Sequence, residues 1–433
     1  MEHLLNKLTA RFSELLRTQL NSGAVWFFLA NALPSFTAVA LGPFILKKVG
    51  LGEYAVLGLT TYFFNLVGSY SDFSGYTHLL AVYSKRTSGR HSDFGNALIL
   101  KASLLAFFFC VLEFFSLWHP RKDDLYLLLA ISMLALALPS ANMEWFFVAR
   151  KRYFQIFLAR LSVVSFQLLL TMIWFFSGRR SSFFIPLITL ASGAAGSLCL
   201  LMALGTKQIL NGMIIVRQIS FRGMRGLVIR LFPMAAAMLV TPYFLAYALP
   251  WYSLTSPDKR LLGAFSIAYR LIMGVSALMV PLVIFSIPQR ASSNKVISFR
   301  NTFMASLLAI IFFWTAGIPV LRLYFHISKV DPVLFSYSLR IFSILMLGVF
   351  FLCLRTPYVG RLVVSGRYRD YFLILLVSCT PVLAFSLIGG KKIPSETIAW
   401  LACLPDFLAT VGFVGYNRIL LRIRSFRSTT APV

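Results

Sequence analysis

The chain is 433 residues long, with 58% hydrophobic and only 13% charged residues, which leaves too little polar surface to cover a soluble globule of this size. Its 41 Lys and Arg residues outnumber its 14 Asp and Glu residues and give a formal net charge of +27. Because the basic residues lie between apolar segments and form no separate domain, the charge indicates membrane topology and excludes a nucleic-acid-binding domain. The composition predicts an all-α polytopic membrane protein.

The first 22 residues predict an amphipathic helix lying on the membrane surface. Leu4, Leu8 and Phe12 share one helical face, and Lys7 and Arg11 lie elsewhere around the helix. The apolar segment that follows, 23–46, is too long for the core of a signal peptide and has no A-x-A cleavage pattern. We therefore expect it to remain in the protein as the first membrane span.

Apolar segments of membrane length then follow one another, about twelve in all. They cover residues 23–46, 53–82, 96–118, 125–147, 154–176, 183–204, 227–250, 261–287, 302–320, 332–354, 371–389 and 397–416. The basic and only moderately apolar stretch 205–230 lies in the middle, and we interpret it as a cytoplasmic linker. This predicts a six-helix lobe over 23–204, a second over 227–416 and a basic cytoplasmic tail over 417–433.

Basic residues are divided unevenly between alternate loops, with about 24 on one side and about 12 on the other. On the poorer side most Lys and Arg pairs have an acid nearby, such as Glu53, Asp258 or Glu396. The side that is richer in Lys and Arg is expected to be cytoplasmic. The pattern therefore predicts that both termini face the cytoplasm.

The two predicted lobes carry matching short segments. Leu51-Gly52-Glu53-Tyr54-Ala55 opens the second span, and Leu262-Gly263-Ala264-Phe265-Ser266 has the same place in the eighth. The basic loop that begins at Arg150 is matched by the one that begins at Arg367. The spacing predicts two six-helix bundles related by an axis along the membrane normal.

Three arginines lie within predicted spans, where an ionised group is costly unless it faces water or a partner. Counting 1.5 Å per residue from the outer boundary places Arg270 and Arg340 near the midplane, and Arg160 is intermediate in depth. No acid shares their depth in the eighth and tenth spans, so a positively charged cavity wall is the favoured explanation. The alternative is an ion pair with an acid from another span. Lys101 and Arg355 lie near span ends and are expected to reach the interface.

Three acidic residues lie in or at the predicted spans: Asp72, Glu144 and Asp406. Each is a candidate for ion pairing or for proton or cation coupling, and we favour ion pairing or helix packing. The chain has no HExxH, GxSxG or Walker A sequence, and its five histidines are scattered, so we expect neither an enzyme nor a metal or cofactor site.

Several segments together resemble the Wzx-type polysaccharide flippases of the multidrug/oligosaccharidyl-lipid/polysaccharide exporter superfamily. They are Val49-Gly50-Leu51-Gly52-Glu53-Tyr54, Ser71-Asp72-Phe73-Ser74-Gly75, Trp145-Phe146-Phe147 leading into Arg150-Lys151-Arg152-Tyr153, and the segment from Leu262 to Arg270 with the downstream Pro288. The likeness extends over most of the chain in order and spacing.

The resemblance implies two six-helix lobes around a central cavity in the bacterial inner membrane. The implied cargo is an undecaprenyl-diphosphate-linked oligosaccharide, flipped for O antigen, capsule or exopolysaccharide synthesis. Arg270 and Arg340, and secondarily Arg160, would then contact the diphosphate, since guanidinium groups form bidentate hydrogen bonds with phosphate oxygens. Polar contacts to the sugars would come from Asn31, Asn65 and Gln167. Expected partners are this lipid-linked glycan, anionic membrane lipids and other polysaccharide-assembly proteins.

Other functions stay open at the level of the sequence. A drug or cation exporter of the same superfamily would be favoured if Asp72 and Asp406 were central and Arg270 faced lipid. A membrane polysaccharide polymerase or ligase, or a scaffold subunit without transport of its own, are the remaining alternatives.

Overall fold

The computed structural model describes residues 23–72, 75–84, 91–118, 123–138, 143–178, 181–204, 221–240, 259–291, 299–388 and 394–429. The N-terminal segment 1–22 and the first part of the predicted linker, 205–220, lie outside these ranges. Within them the regular secondary structure consists of helices alone, which confirms the all-α class.

The described part of the chain forms fourteen α-helices. They are α1 (Ala24–Val49), α2 (Leu51–Asp72), α3 (Gly75–Ser84), α4 (His91–Trp118), α5 (Asp123–Leu136), α6 (Glu144–Ala149), α7 (Tyr153–Phe176), α8 (Phe184–Leu204), α9 (Phe221–Val240), α10 (Lys259–Ala291), α11 (Phe299–Ser328), α12 (Pro332–Val364), α13 (Tyr368–Ile388) and α14 (Ser395–Thr429).

Seven of the described helices are long and apolar enough to cross a membrane: α1, α4, α7, α8, α11, α12 and α14. The predicted span 125–147 is divided, because α5 ends at Leu136 and α6 begins at Glu144, and the predicted span 53–82 contains α2 and α3. α5 ends three residues before Pro139, and a proline disfavours helical backbone in the residue that precedes it. α9 begins at Phe221, so part of the predicted linker is already helical.

The chain is described here as an N-terminal half, α1–α8, and a C-terminal half, α9–α14. In the N-terminal half α7 packs against α1 and α8, and in the C-terminal half α12 packs against α10, α11 and α14. The halves meet where α10 lies against α1 and α2, where α11 lies against α1 and where α9 lies against α4. Smaller contacts join α3 to α10 and α12 and join α2 to α9.

Buried apolar clusters show where the halves are joined. One cluster contains residues of both halves, and we call it the shared cluster. Its members include Ile45, Leu46, Tyr54, Leu57, Trp174 and Ile188 from the N-terminal half and Phe265, Ile272, Leu321, Tyr324, Phe342 and Ile398 from the C-terminal half. Of the other described clusters, the one around Trp145 and Tyr153 lies within the N-terminal half and the one around Tyr358 and Phe413 lies within the C-terminal half.

The shared cluster lies at one end of the helix bundle. α1 ends and α2 begins there, separated by Gly50, and α10 also begins there. Gly50 has φ +84°, a left-handed backbone conformation that glycine adopts without strain and that ends α1. The chain thus turns sharply at the point where the second half packs against it.

Candidate functional site

The two segments that the sequence matched as repeats contact each other in the structure. Gly263 of α10 lies against Leu51 of α2, and a Cβ atom on Gly263 would be 2.3 Å from Cγ of Leu51. A second close approach joins α1 to α11, where a Cβ atom on Gly42 would be 2.2 Å from the Tyr324 hydroxyl oxygen. A methyl group at either position would overlap its neighbour, so the Leu51 or Tyr324 side chain would have to shift.

Two aromatic rings extend this contact. Tyr54 and Tyr324 are buried, and their rings meet edge to face with centroids 6.2 Å apart. We call the six residues Gly42, Leu51, Tyr54, Gly263, Arg270 and Tyr324 the seal. The seal lies within the shared cluster and connects α1 and α2 with α10 and α11.

Arg270 is the charged residue of the seal. Its guanidinium carbon lies 4.0 Å from the centroid of the Tyr54 ring, which is a cation–π contact between the halves. Among the described residues no carboxylate lies within ion-pair distance of Arg270, and its buried Nε has no hydrogen-bond partner. The seal therefore contains a cation that no described acid neutralises.

The depth predicted for Arg270 needs correction. The residue lies eleven positions into α10, yet its guanidinium reaches Tyr54, which is in the first turn of α2. Side chains on a helix lean toward its N-terminus, and α10 begins at the sealed end. The charge is consequently closer to that end than a count of residues from the boundary indicates.

Arg340 forms an ion pair with an acid of another helix, which was the alternative to the cavity wall in the sequence analysis. Its Nη1 donates to Glu396 Oε1 at 3.1 Å, and its side chain is 72% exposed. Glu396 is the second residue of α14, and the exposed neighbours on this surface, Leu347 and Trp400, are apolar. The structure thus places Arg340 on an exposed surface near the start of α14, where it is paired with an acid.

Arg160 is paired within the N-terminal half. Its Nη2 lies 2.7 Å from Glu144 Oε1, so α7 and α6 are joined by an ion pair. The Arg160 Nε is buried and has no hydrogen-bond partner among the described residues. The sequence analysis named Arg160 as a candidate cavity residue and Glu144 as a candidate for ion pairing or coupling. The fold brings these two residues together.

Asp72, the last residue of α2, contacts the first turn of α3. Its Oδ2 accepts a hydrogen bond from the backbone N–H of Tyr76 at 3.0 Å, which satisfies a free donor in the first turn of α3. Its Oδ1 lies 3.9 Å from Lys101 Nζ on α4. Lys101 was expected to reach the membrane interface, but it is directed to this carboxylate instead.

Asp406 forms the most deeply buried ion pair among the described residues. Its Oδ1 lies 2.7 Å from Arg355 Nη1, and the two side chains are only 5% and 6% exposed. Arg355 was also expected to reach the interface, and this expectation is wrong because α14 covers it. The pair lies between α12 and α14 inside the C-terminal half.

The three predicted sugar-contacting residues lie on different helices. The Asn31 side-chain amide donates to the Phe27 carbonyl one turn earlier in α1, at 2.7 Å. Asn65 on α2 and Gln167 on α7 are half-buried. None of the three belongs to the seal.

Sequence reasoning missed the contact partners of the seal. Leu51, Tyr54 and Gly263 were noted as parts of repeated segments, with no role assigned to them. The repeat was the available signal. Two equivalent segments that both lie close to the axis relating the halves must also lie close to each other.

The described residues hold no group of three or more metal-ligating side chains that could bind a metal ion. No protein-family model and no curated protein sequence matches the chain.

Solved structures of transporters share the fold over nearly the whole chain. An inward-facing multidrug resistance MATE family transporter of the MOP superfamily is 15% identical, with a TM-score of 0.63 over 94% of this chain and 96% of that one. An outward-facing MATE transporter of the same superfamily is 12% identical, with a TM-score of 0.67 over the same shares. A eukaryotic MATE transporter is 13% identical, with a TM-score of 0.61 over 93% of this chain and 95% of that one.

These solved structures are all 15% identical to this chain or less. At such low identity they establish architecture and not substrate. The chain has the polytopic all-α fold of the MATE transporters of the MOP superfamily.

Proposed function

We propose that the chain is a membrane exporter that works by alternating access, with the seal opening and closing one end of the pathway. The observation that carries this proposal is the shared cluster, which joins the halves at one end while other buried clusters lie within single halves. The similarity to both an inward-facing and an outward-facing transporter supports it.

A disulfide across the seal tests this function. Leu51→Cys and Gly263→Cys would place two thiols at neighbouring positions, because a Cβ atom on Gly263 lies against the Leu51 side chain, and a disulfide requires such closeness. In a background without the five native cysteines, we expect oxidation to cross-link the halves and stop transport, and reduction to restore it. The matched control is Leu51→Cys with Gly263→Ala, which also shortens residue 51 and adds a Cβ atom at residue 263 but has no second thiol. Full transport by the cross-linked protein would refute alternating access through the seal.

For the substrate we place a drug or other organic cation first, because the transporters with this fold include multidrug exporters. In such an exporter a carboxylate must become available to the cation. Glu144 and Asp72 are only partly buried, and their ion pairs with Arg160 and Lys101 could exchange for a cationic substrate. Both would then act within the N-terminal half.

The second candidate is flipping of an undecaprenyl-diphosphate-linked oligosaccharide in the bacterial inner membrane. The specific observation that favours it is Arg270, a cation in the seal without a described acidic partner. A guanidinium at this place would attract a diphosphate and repel a cation. Arg160 is held by Glu144 and would contact the head group only after that pair separates.

Arg270→Met separates the two candidates, because it keeps an extended side chain and removes the charge. Flipping predicts a loss of surface glycan of at least about tenfold, since a charged hydrogen bond contributes about 1.5–3 kcal/mol. Export of an organic cation predicts unchanged or faster efflux. The measurements are accumulation of a fluorescent cation and of inner-leaflet lipid-linked glycan in exporter-deficient cells. Arg322→Met, an exposed arginine of α11 outside the seal, is the matched control.

A further inference from the structure

A groove runs along the membrane-facing side of α12 and α14. The two helices run in the same direction, as successive contacts show: Cys403 Sγ donates to the Ile344 carbonyl at 3.3 Å, and the Thr410 hydroxyl donates to the Phe351 carbonyl at 2.9 Å. Between them lies an open cavity of about 420 Å³. It is lined by Leu347, Phe351, Thr397, Trp400, Leu401, Cys403, Leu404 and Phe407.

The lining is mainly apolar, its polar side-chain groups are the Thr397 hydroxyl, the Trp400 indole N–H and the Cys403 thiol, and part of it is exposed. Trp400 is 54% exposed and Phe407 is 42% exposed, on helices that are long and apolar enough to span a membrane. Large apolar side chains that are exposed on such helices are suited to contact with hydrocarbon. The lining of the groove is therefore compatible with a lipid chain.

The length of the groove matches one leaflet. From Arg340 to Phe351 there are eleven residues of α12, which extend about 16 Å. The hydrocarbon core of a bilayer is about 30 Å thick, so one leaflet contributes about half of that. An acyl chain of one phospholipid would fill the groove, whereas a much longer polyprenyl chain would extend beyond it.

The Arg340–Glu396 ion pair lies at the end of the groove where α12 and α14 begin. Arg340 lies seven residues before Leu347 on the same face of α12, and Glu396 immediately precedes Thr397 on α14. Their side chains are 72% and 47% exposed, so both charges are accessible to a head group. Toward the other end of the groove, the Arg355–Asp406 pair is buried between α12 and α14 and is not accessible to a head group.

We propose that this groove is a binding site for a phosphatidylethanolamine-type phospholipid. One acyl chain lies between α12 and α14, the phosphate accepts hydrogen bonds from Arg340, and the primary ammonium donates to Glu396. An anionic phospholipid satisfies Arg340 but meets the negative charge of Glu396. A choline head group has no N–H to donate to that carboxylate. The site is independent of the transported substrate.

The test is native mass spectrometry of the purified full chain in detergent with added phosphatidylethanolamine, phosphatidylglycerol or phosphatidylcholine. We expect retention of phosphatidylethanolamine to exceed that of the other two about two- to fivefold, the range set by exposed ion pairs. Equal retention of all three lipids by the unmodified chain would overturn the proposal without reference to any variant.

Two variants then locate the site. Glu396→Gln is expected to abolish the preference for phosphatidylethanolamine over phosphatidylglycerol while a lipid is still retained. Leu347→Trp fills the groove and is expected to reduce the retained lipid, whereas Leu373→Trp, on an exposed position of α13 outside the groove, leaves it unchanged. Retention that is unaffected by Leu347→Trp would show that the lipid binds elsewhere.

Discussion

At the scale of single residues, the ion pairs show how this chain keeps charges inside a helix bundle. Arg355 and Asp406 are almost fully buried and lie 2.7 Å apart. Removing one partner of such a pair leaves an uncompensated charge in a poorly solvating interior, whereas replacing both with apolar groups of similar size removes the problem. The pair is therefore expected to fix how α12 and α14 pack more than to add stability.

Arg355→Met alone is expected to lower the free energy of unfolding by about 3–5 kcal/mol, because Asp406 loses its counter-charge. The double variant Arg355→Met with Asp406→Leu is expected to recover most of that loss. Thermal unfolding of the purified protein in detergent measures both. A double variant as unstable as the sum of the single ones would show that the two residues act independently.

Gly23 lies at a position where both the backbone conformation and a neighbouring ring disfavour a side chain. Its φ of +73° is left-handed, and a Cβ atom there would lie 2.3 Å from Cδ2 of Tyr153. The residue precedes α1 and lets the helix start directly against the first turn of α7. A side chain at this place would be strained by the backbone and by the ring together.

At the scale of elements, α10 is the helix that joins the two halves. It packs on α12 within its own half and on α1 and α2 across the interface. Gly263 allows α10 to approach Leu51 more closely than any other residue type would. The closeness of this contact decides whether Arg270 reaches the Tyr54 ring.

Gly263→Ala is expected to weaken the seal, because its methyl group would overlap Leu51. Overpacking of this kind costs about 1–3 kcal/mol, which lowers the melting temperature followed by intrinsic fluorescence. In the double variant, Leu51→Ala makes room for the added methyl group and is expected to restore the melting temperature. Gly52→Ala is the matched control, since a Cβ atom there meets open space and is expected to be neutral or stabilising. If Gly52→Ala and Gly263→Ala lowered the melting temperature equally, the effect would come from the backbone and not from the contact between Gly263 and Leu51.

At the scale of the whole molecule, the seal lies at the end where α1 and α2 are connected, and basic residues are concentrated at the other end. We propose from this distribution that both termini are cytoplasmic and that the seal faces the periplasm. This orientation decides which compartment the opened seal would release substrate into.

Labelling with a membrane-impermeant maleimide in intact cells tests the orientation. Gly52→Cys is exposed next to the seal and is expected to react, whereas Arg369→Cys, exposed at the start of α13, is expected to react only after the membrane is opened. The chain without either change gives the background from native cysteines such as the exposed Cys110. The reverse pattern would place the seal in the cytoplasm.

The sequence by itself determined the all-α membrane class, the order of the helices and most of their limits. Hydrophobic length is a local property, so the segment 154–176 predicted α7, Tyr153–Phe176, within one residue. The repeat also paired the segment that begins at Leu51 with the segment that begins at Leu262, and Leu51 and Gly263 of these segments are in contact in the structure.

Only the tertiary structure decided which charges meet. The pairs Arg160–Glu144 and Arg355–Asp406, and the position of Arg340 beside Glu396, depend on the rotation and register of packed helices. A residue count along one helix gives depth but not the direction in which a side chain faces. That direction is set by packing between distant segments. Arg270 and Arg340 received the same prediction because they have similar depths, but they occupy different environments because they face different neighbours.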